Sequence, residues 1–121
     1  MTFSFRIEPK TGYDIVHLAG ELIDKTQSTD LSAKIDELIA EQKIKLIFDL
    51  QELKYINSSG LNVMINILSR IRKTGGEVVI THVAKRVNEL LIITKLNTVF
   101  TVTESMDSAV LKLNKNTNMA D

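Results

Sequence analysis

Asp49-Leu50-Gln51-Glu52-Leu53-Lys54-Tyr55-Ile56-Asn57-Ser58-Ser59-Gly60-Leu61 is the stretch on which the reading of this chain turns. It closes a run, Ile44–Leu50, that is nearly continuously apolar (Ile44, Leu46, Ile47, Phe48, Leu50), the mark of a short strand buried on both faces. Beyond it, Leu61, Met64, Ile65, Leu68 and Ile71 share one face of a helix over about Ser58–Lys73, stopped by Gly75-Gly76. The quoted residues thus read as a buried strand ending at Leu50, a short loop, and two serines that open a helix. The first helical turn carries unpaired backbone N–H groups and the positive end of the helix dipole. A serine hydroxyl there can cap the helix, and a phosphate on it is accommodated by the same N–H groups. Gly60, lacking a side chain, lets another surface approach closely.

Working outward, Phe3, Phe5 and Ile7 alternate with Ser4, Arg6 and Glu8, the period of a half-buried strand that Pro9 should end. Thr11-Gly12 makes a turn into a second strand, Tyr13–Ala19, and the pair reads as a β-hairpin. Gly20–Lys25 connects to an amphipathic helix over about Thr26–Gln42, with Leu31, Ile35, Leu38 and Ile39 inward and Thr26 or Ser28 as cap. Further strands follow at Glu77–Thr81 and Val99–Val102, with helices at Lys85–Thr94 and Ser105–Leu113. Ser105 is the expected cap of the last helix, and Met106, Ala109, Val110 and Leu113 its inner face. The order β-β-α-β-α-β-α-β-α implies right-handed crossovers and a largely parallel sheet with helices packed on it.

Composition narrows the chemistry. The 121 residues are 44% hydrophobic and 25% charged, enough to bury a core in one domain. Lys plus Arg balances Asp plus Glu at 15 each, which argues against a nucleic-acid footprint; Lys43–Lys45 and Arg70–Lys73 read as solvated helix ends. With no cysteine, disulfides, thiolate zinc sites and thiol catalysis are excluded. No signal peptide and no membrane-length apolar run is seen, so a soluble cytoplasmic protein is expected. His17 and His82 lie in or at the end of strands with no His, Asp or Glu at ligand spacing and read as structural. Asp49 lacks a recognisable base, nucleophile or metal set and reads as a local hydrogen-bond acceptor. Gly75-Gly76 fits no nucleotide-binding pattern.

Against this frame, Asn57-Ser58-Ser59-Gly60-Leu61 resembles the signature of STAS domains, in particular the bacterial anti-sigma-factor antagonists. In that family a loop of the type Asp-Ser-Ser-Gly-Leu follows a buried strand and opens a helix. Gly20-Glu21-Leu22-Ile23-Asp24 resembles the family's Gly-Glu-Leu-Asp turn, with one residue extra, and Gly75-Gly76-Glu77 before a strand fits as well. The resemblance spans about Phe3 to Leu113. It implies an α/β STAS fold: a mixed, mostly parallel sheet with an N-terminal β-hairpin and about four helices packed on it. One domain, residues 1–113, would be followed by a polar, flexible tail, 114–121.

The resemblance implies a non-enzymatic anti-anti-sigma factor that works by partner switching, with no cofactor. Its partner would be an anti-sigma factor with serine kinase activity, which phosphorylates the first serine of the pair, Ser58, with Ser59 as the alternative. Neither nucleic acid nor membrane is an implied partner, and a monomer or weak dimer is expected. Asn57 stands where phosphorylated antagonists usually carry Asp; it keeps the shape but not the charge. STAS folds also serve as non-phosphorylated scaffold modules in stress-signalling or transport complexes, and Asn57 suits that alternative. Val63 and Ile67 fall off the core face of the helix, four residues apart, and would adjoin each other on the surface. With Asn57, Ser58, Ser59 and Gly60 they make up the expected partner-binding patch. The plainer alternatives are helix capping for the serines and edge-of-core packing for Val63 and Ile67.

Overall fold

Alternation of apolar and polar residues in the first twenty positions produces the expected hairpin. The computed structural model describes residues 2–118. In it β1 (Phe3–Lys10) runs antiparallel to β2 (Tyr13–Leu22). The turn between them needs Gly12, which takes φ +88, a region that L side chains avoid. From β2 onward every pairing is parallel: β2 with β3 (Lys45–Ile56), β3 with β4 (Glu77–Thr81) and β4 with β5 (Thr101–Thr103). The sheet order is the chain order, β1 to β5.

Three crossover helices, α1 (Thr29–Ala40), α2 (Ser58–Lys73) and α3 (Lys85–Ile93), join consecutive parallel strands. A single hand of crossover puts them on one face of the sheet. There Leu31, Ile35, Leu61, Leu68, Val87 and Leu91 pack with Val16, Leu18, Phe48 and Ile80 in one core. The last helix, α4 (Met106–Asn118), covers the other face, where Ala109 and Leu113 meet Ile15, Ile47 and Val79. Adjacent residues of β3, Ile47 and Phe48, thus enter opposite cores, which is why that strand is apolar without interruption. The Ser105 hydroxyl caps α4 as expected, accepting from the Ser108 N–H at 3.1 Å.

Several boundaries differ from the sequence reading, each for a local reason. β1 continues through Pro9, opposite Asp14, because β1 is an edge strand and tolerates a residue without an N–H. β3 does not stop at Leu50 but runs on to Ile56, beside a β2 that extends to Leu22. Two register shifts accompany the extension, one between His17 and Ala19 and one between Gly20 and Glu21. They leave Leu50, Leu53 and Ile56 all buried at a spacing of three, which is neither strand nor helix periodicity. A 3-10 turn, Lys25–Ser28, precedes α1 and is capped by Asp24; Ser28 stands at the N-cap position of α1 but its side chain makes no capping bond, and Thr26 lies inside the turn. The Asp24 side chain accepts from the Thr26 N–H, and Gln27 reaches back to the Asp24 N–H. β5 is a short edge strand that begins at Thr101, two residues later than expected, with Val102 turned outward. α4 reaches Asn118, so the first part of the expected tail is helical; residues 119–121 lie outside the described residues.

Gly60, in the first turn of α2, sits against the backbone of the β2 end. A Cβ built on it would collide with the Leu22 carbonyl oxygen and Ile56 Cγ1. The close approach expected of this glycine is therefore made by the chain's own β2. Gly60→Ala should lower the unfolding free energy by about 1–3 kcal/mol through overpacking, measured by urea denaturation.

Candidate functional site

The head of α2 is built from three pieces of chain: the end of β3, the end of β2 and the helix itself. Asn57 takes an extended backbone (φ −114, ψ −172) and turns the strand into the helix. Its side chain uses both ends. Oδ1 accepts from the Gly60 N–H at 3.0 Å, capping α2, and Nδ2 donates to the Ile23 carbonyl at 3.0 Å. The Asn57 N–H also points to the Leu22 carbonyl, at 3.4 Å. The residue that departs from the family's Asp therefore has a structural task a carboxylate could only half perform, because a carboxylate has no hydrogen to give Ile23.

Capping by Asn57 relieves both serines of that role. Among the described residues neither Ser58 nor Ser59 makes a side-chain hydrogen bond, and both are exposed. They face different sides of the helix. Ser58 borders a shallow depression of about 390 Å³ shared with Tyr55, Asn57, Arg86, Glu89 and Ile93. Ser59 borders a separate groove of about 490 Å³ between α2 and α1, with Lys25, Ser32, Asn62 and Asn66 and with the expected patch residues Val63 and Ile67 in its floor. The amides of Ser58 and Ser59 have no acceptor among the described residues, so the first turn of α2 presents two free N–H groups next to the Ser58 hydroxyl.

Val63 and Ile67 do not form the expected exposed pair. They are 8% and 1% exposed and belong to the main core. The reason is a second wall: α1 lies beside α2, tied to it by Arg70, which donates to Asp36 at 2.6 Å and to Ser32 at 3.0 Å. The buried residues of α2 from Gly60 to Ile71 therefore occupy an arc of roughly 160° at about 100° per residue, wider than a sheet-facing stripe. The surface apolar residues near Ser58 come instead from other elements. Tyr55 on β3 is 44% exposed and Ile93 on α3 78%, and Ile92 beside it is 53% exposed. The sequence does not announce them, because Tyr55 reads as loop and because Ile92 and Ile93 sit at the C-terminal end of α3, whose exposed side otherwise carries Lys85, Arg86, Asn88 and Glu89.

The strand–turn–helix geometry, the sheet order and the capped serine pair agree with one family. A STAS domain model matches residues 5–109, and the chain belongs to the STAS domain family. Its similarity there is to the anti-sigma-factor antagonists: the anti-sigma F factor antagonist of Paenibacillus polymyxa is 28% identical over 114 residues, which are 93% of this chain and 97% of that protein. In fold, the crystal structure of an anti-sigma factor antagonist from Mycobacterium paratuberculosis superposes with a TM-score of 0.80 at 19% identity, over 93% of this chain and 95% of the other. The Bacillus cell fate determinant SpoIIAA in its phosphorylated form superposes with a TM-score of 0.69 at 16% identity, over 91% and 99%. No helix among the described residues is long and apolar enough to cross a membrane. No group of three or more His, Cys, Asp or Glu side chains among them is arranged to hold a metal ion.

Two substitution series check these assignments. Asn57→Ala removes both the cap and the tie to Ile23 and should cost about 1–2 kcal/mol of stability, whereas Asn57→Asp keeps the cap and should cost less. Ile67→Ala should cost about 2–5 kcal/mol as a core truncation, and Val63→Ala a smaller amount. Urea unfolding curves of the four variants give the ranking.

Proposed function

We propose that this protein is an anti-sigma-factor antagonist whose docking surface is the head of α2 with the flanking face of α3, and that phosphorylation of Ser58 switches it off. The observation that carries the reading is the division of labour between Asn57 and Ser58. Asn57 caps the helix, which leaves the Ser58 hydroxyl exposed, unbonded and next to free N–H groups. The partner would be an anti-sigma factor with serine kinase activity. The antagonist names of its relatives favour that class of partner, and a phosphorylated form is known for SpoIIAA, which has the same fold. Ser58 is favoured over Ser59 because its depression is rimmed by exposed Tyr55 and Ile93, the apolar surface a protein partner would cover.

Phosphate brings a charge of about −1.5 to −2. At the first turn of α2 an exposed anion is locally favourable by about 0.3–1 kcal/mol, so the fold should persist. At an interface the same charge, desolvated and unpaired, costs several kcal/mol. About 3–4 kcal/mol corresponds to a several-hundredfold loss of affinity at about 1.4 kcal/mol per tenfold. The switch therefore works on the complex and not on the fold.

Incubation with the cognate kinase and ATP should add one phosphoryl group by intact mass, mapped to Ser58, and Ser58→Ala should abolish it. Ser58→Asp should weaken the complex in titration calorimetry by at least tenfold, with an unchanged far-ultraviolet circular dichroism spectrum. A stable complex that is never phosphorylated and is indifferent to Ser58→Asp would identify a constant scaffold module instead.

A further inference from the structure

On the face of the sheet that carries α4, four titratable side chains from four successive elements are joined in a row. Strand register places His17 of β2 opposite Asp49 of β3 and opposite Arg6 of β1, and Asp49 opposite Thr81, the last residue of β4. His82 follows with φ +57, in the left-handed region. Asp49, 7% exposed, is the hub. Its Oδ2 lies 3.0 Å from His17 Nδ1, and its Oδ1 lies 3.0 Å from His82 Nδ1 and accepts the Gln51 N–H at 3.0 Å. The other ring nitrogen of His17, Nε2, lies 2.7 Å from Glu8 Oε1 on β1. Glu8 Oε2 in turn pairs with Lys10 at 3.0 Å.

Hydrogen counting constrains the protonation of this row. A carboxylate only accepts, so a histidine nitrogen facing one must carry hydrogen. His82 meets this requirement as a neutral ring with its hydrogen on Nδ1. His17 has a carboxylate oxygen against each nitrogen and needs two hydrogens. Glu8 cannot supply the extra proton: its hydrogen bond to His17, and then that to Lys10, hold its carboxyl down at about 2. Asp49 takes the Gln51 N–H and faces two ring nitrogens, so it serves as the acceptor of the row. The other charged groups around His17 are Arg6 from β1 and Glu52 from β3, which line the same cavity of about 220 Å³; α4 contributes Ala109 and Leu113 to the neighbouring core.

We propose that Glu8, His17, Asp49 and His82 form a proton-operated latch. With His17 doubly protonated, the row ties the edge strand β1 to the centre of the sheet. When that proton leaves, one of the two His17 bonds must open. It is the one to Glu8, because the Glu8 side chain is 38% exposed and retains Lys10 and water, while that of Asp49 is 9% exposed. The open state removes one side-chain tie between β1 and the sheet and leaves the backbone pairing of Phe3–Lys10 with β2 to hold the edge strand alone. Thr2, just before β1, also holds the end of β2, accepting from the Glu21 N–H at 3.1 Å. The residues just beyond, Leu22 and Ile23, are those that receive Gly60 and Asn57. The segment that opens with β1 is thus joined, through Thr2 and the end of β2, to the residues that receive the head of α2.

The test needs no partner. Nitrogen-15 NMR of the histidine rings in the full chain reads the hydrogens on His17 directly, and amide exchange, corrected for intrinsic rates, reads β1. Across the histidine range, about pH 5 to 8, His17 should pass from a two-hydrogen ring to a one-hydrogen ring, with β1 protection relative to β4 falling about tenfold. His17→Gln, which has one donating and one accepting end, should remove that pH response, and His82→Asn should leave it. A His17 ring with a single hydrogen throughout that range, or β1 protection with the same pH profile in His17→Gln, overturns the proposal. The ring measurement on the unmodified protein decides the matter even if a variant does not fold.

Discussion

The approach of the β2 end to the first turn of α2 is the constraint from which the site follows. Leu22 and Ile23 offer two backbone carbonyls at the C-terminal end of a strand, and Gly60 is the only residue type that lets the helix come down onto the first of them. Asn57 fastens the helix to the second. Both contacts require β3 to travel alongside β2 as far as Ile56, which it does by taking up two register shifts. Without that extension the serines would open a helix on a loose connection, and their distance from α3 and α1 would vary. With it, Ser58 is held between a rigid strand end and the depression bordered by α3.

Separating the cap from the candidate switch has an energetic consequence. A hydroxyl that caps a helix is engaged, and modifying it would break the cap, at a cost of about 1 kcal/mol, while adding charge. Here the cap lies one residue earlier, so modification of Ser58 adds charge and disturbs no bond present in the free protein. Arg86 and Glu89 both border the depression, so the local field near Ser58 is mixed, and the free amides of the first turn set the sign that an added anion meets. The two serines also cease to be equivalent. Ser59 looks into a groove between helices that is floored by Val63 and Ile67 and rimmed by polar residues, whereas Ser58 looks toward the exposed Tyr55 and Ile93.

Most of the fold was legible in the sequence because most of it obeys simple periods. The hairpin alternates at two, the crossover helices repeat near 3.6, and the continuous apolar run of β3 announced a strand between two layers. What failed was local. Leu50, Leu53 and Ile56 repeat at three because of bulges, and no period detects a bulge, so the second half of β3 read as loop. A single sheet-facing stripe on α2 leaves Val63 and Ile67 at the surface. The wall contributed by α1 is a tertiary fact, set by where a crossover helix lies. Asn57 could be noticed in the sequence as a departure from the family's Asp, but the reason for it, a carbonyl 34 residues away, could not.

The acidic and histidine residues teach the same lesson in sharper form. His17, Asp49 and His82 are each ordinary at their own position, and their separations of 32 and 33 residues match no ligand spacing. Register brings them together: parallel pairing sets His17 in the middle of β2 beside Asp49 in the middle of β3, and Asp49 beside Thr81, the last residue of β4, which His82 follows. The bulge between His17 and Ala19 begins at that level, so the strand kinks where its one buried carboxylate on this face must reach two imidazoles. A bulged strand re-aims side chains, and the same irregularity that carries β3 onward to Asn57 leaves Asp49 at the last regular position before the kink. The polar row and the serine site are thus two products of one departure from regular pairing, reached through opposite faces of the same strand.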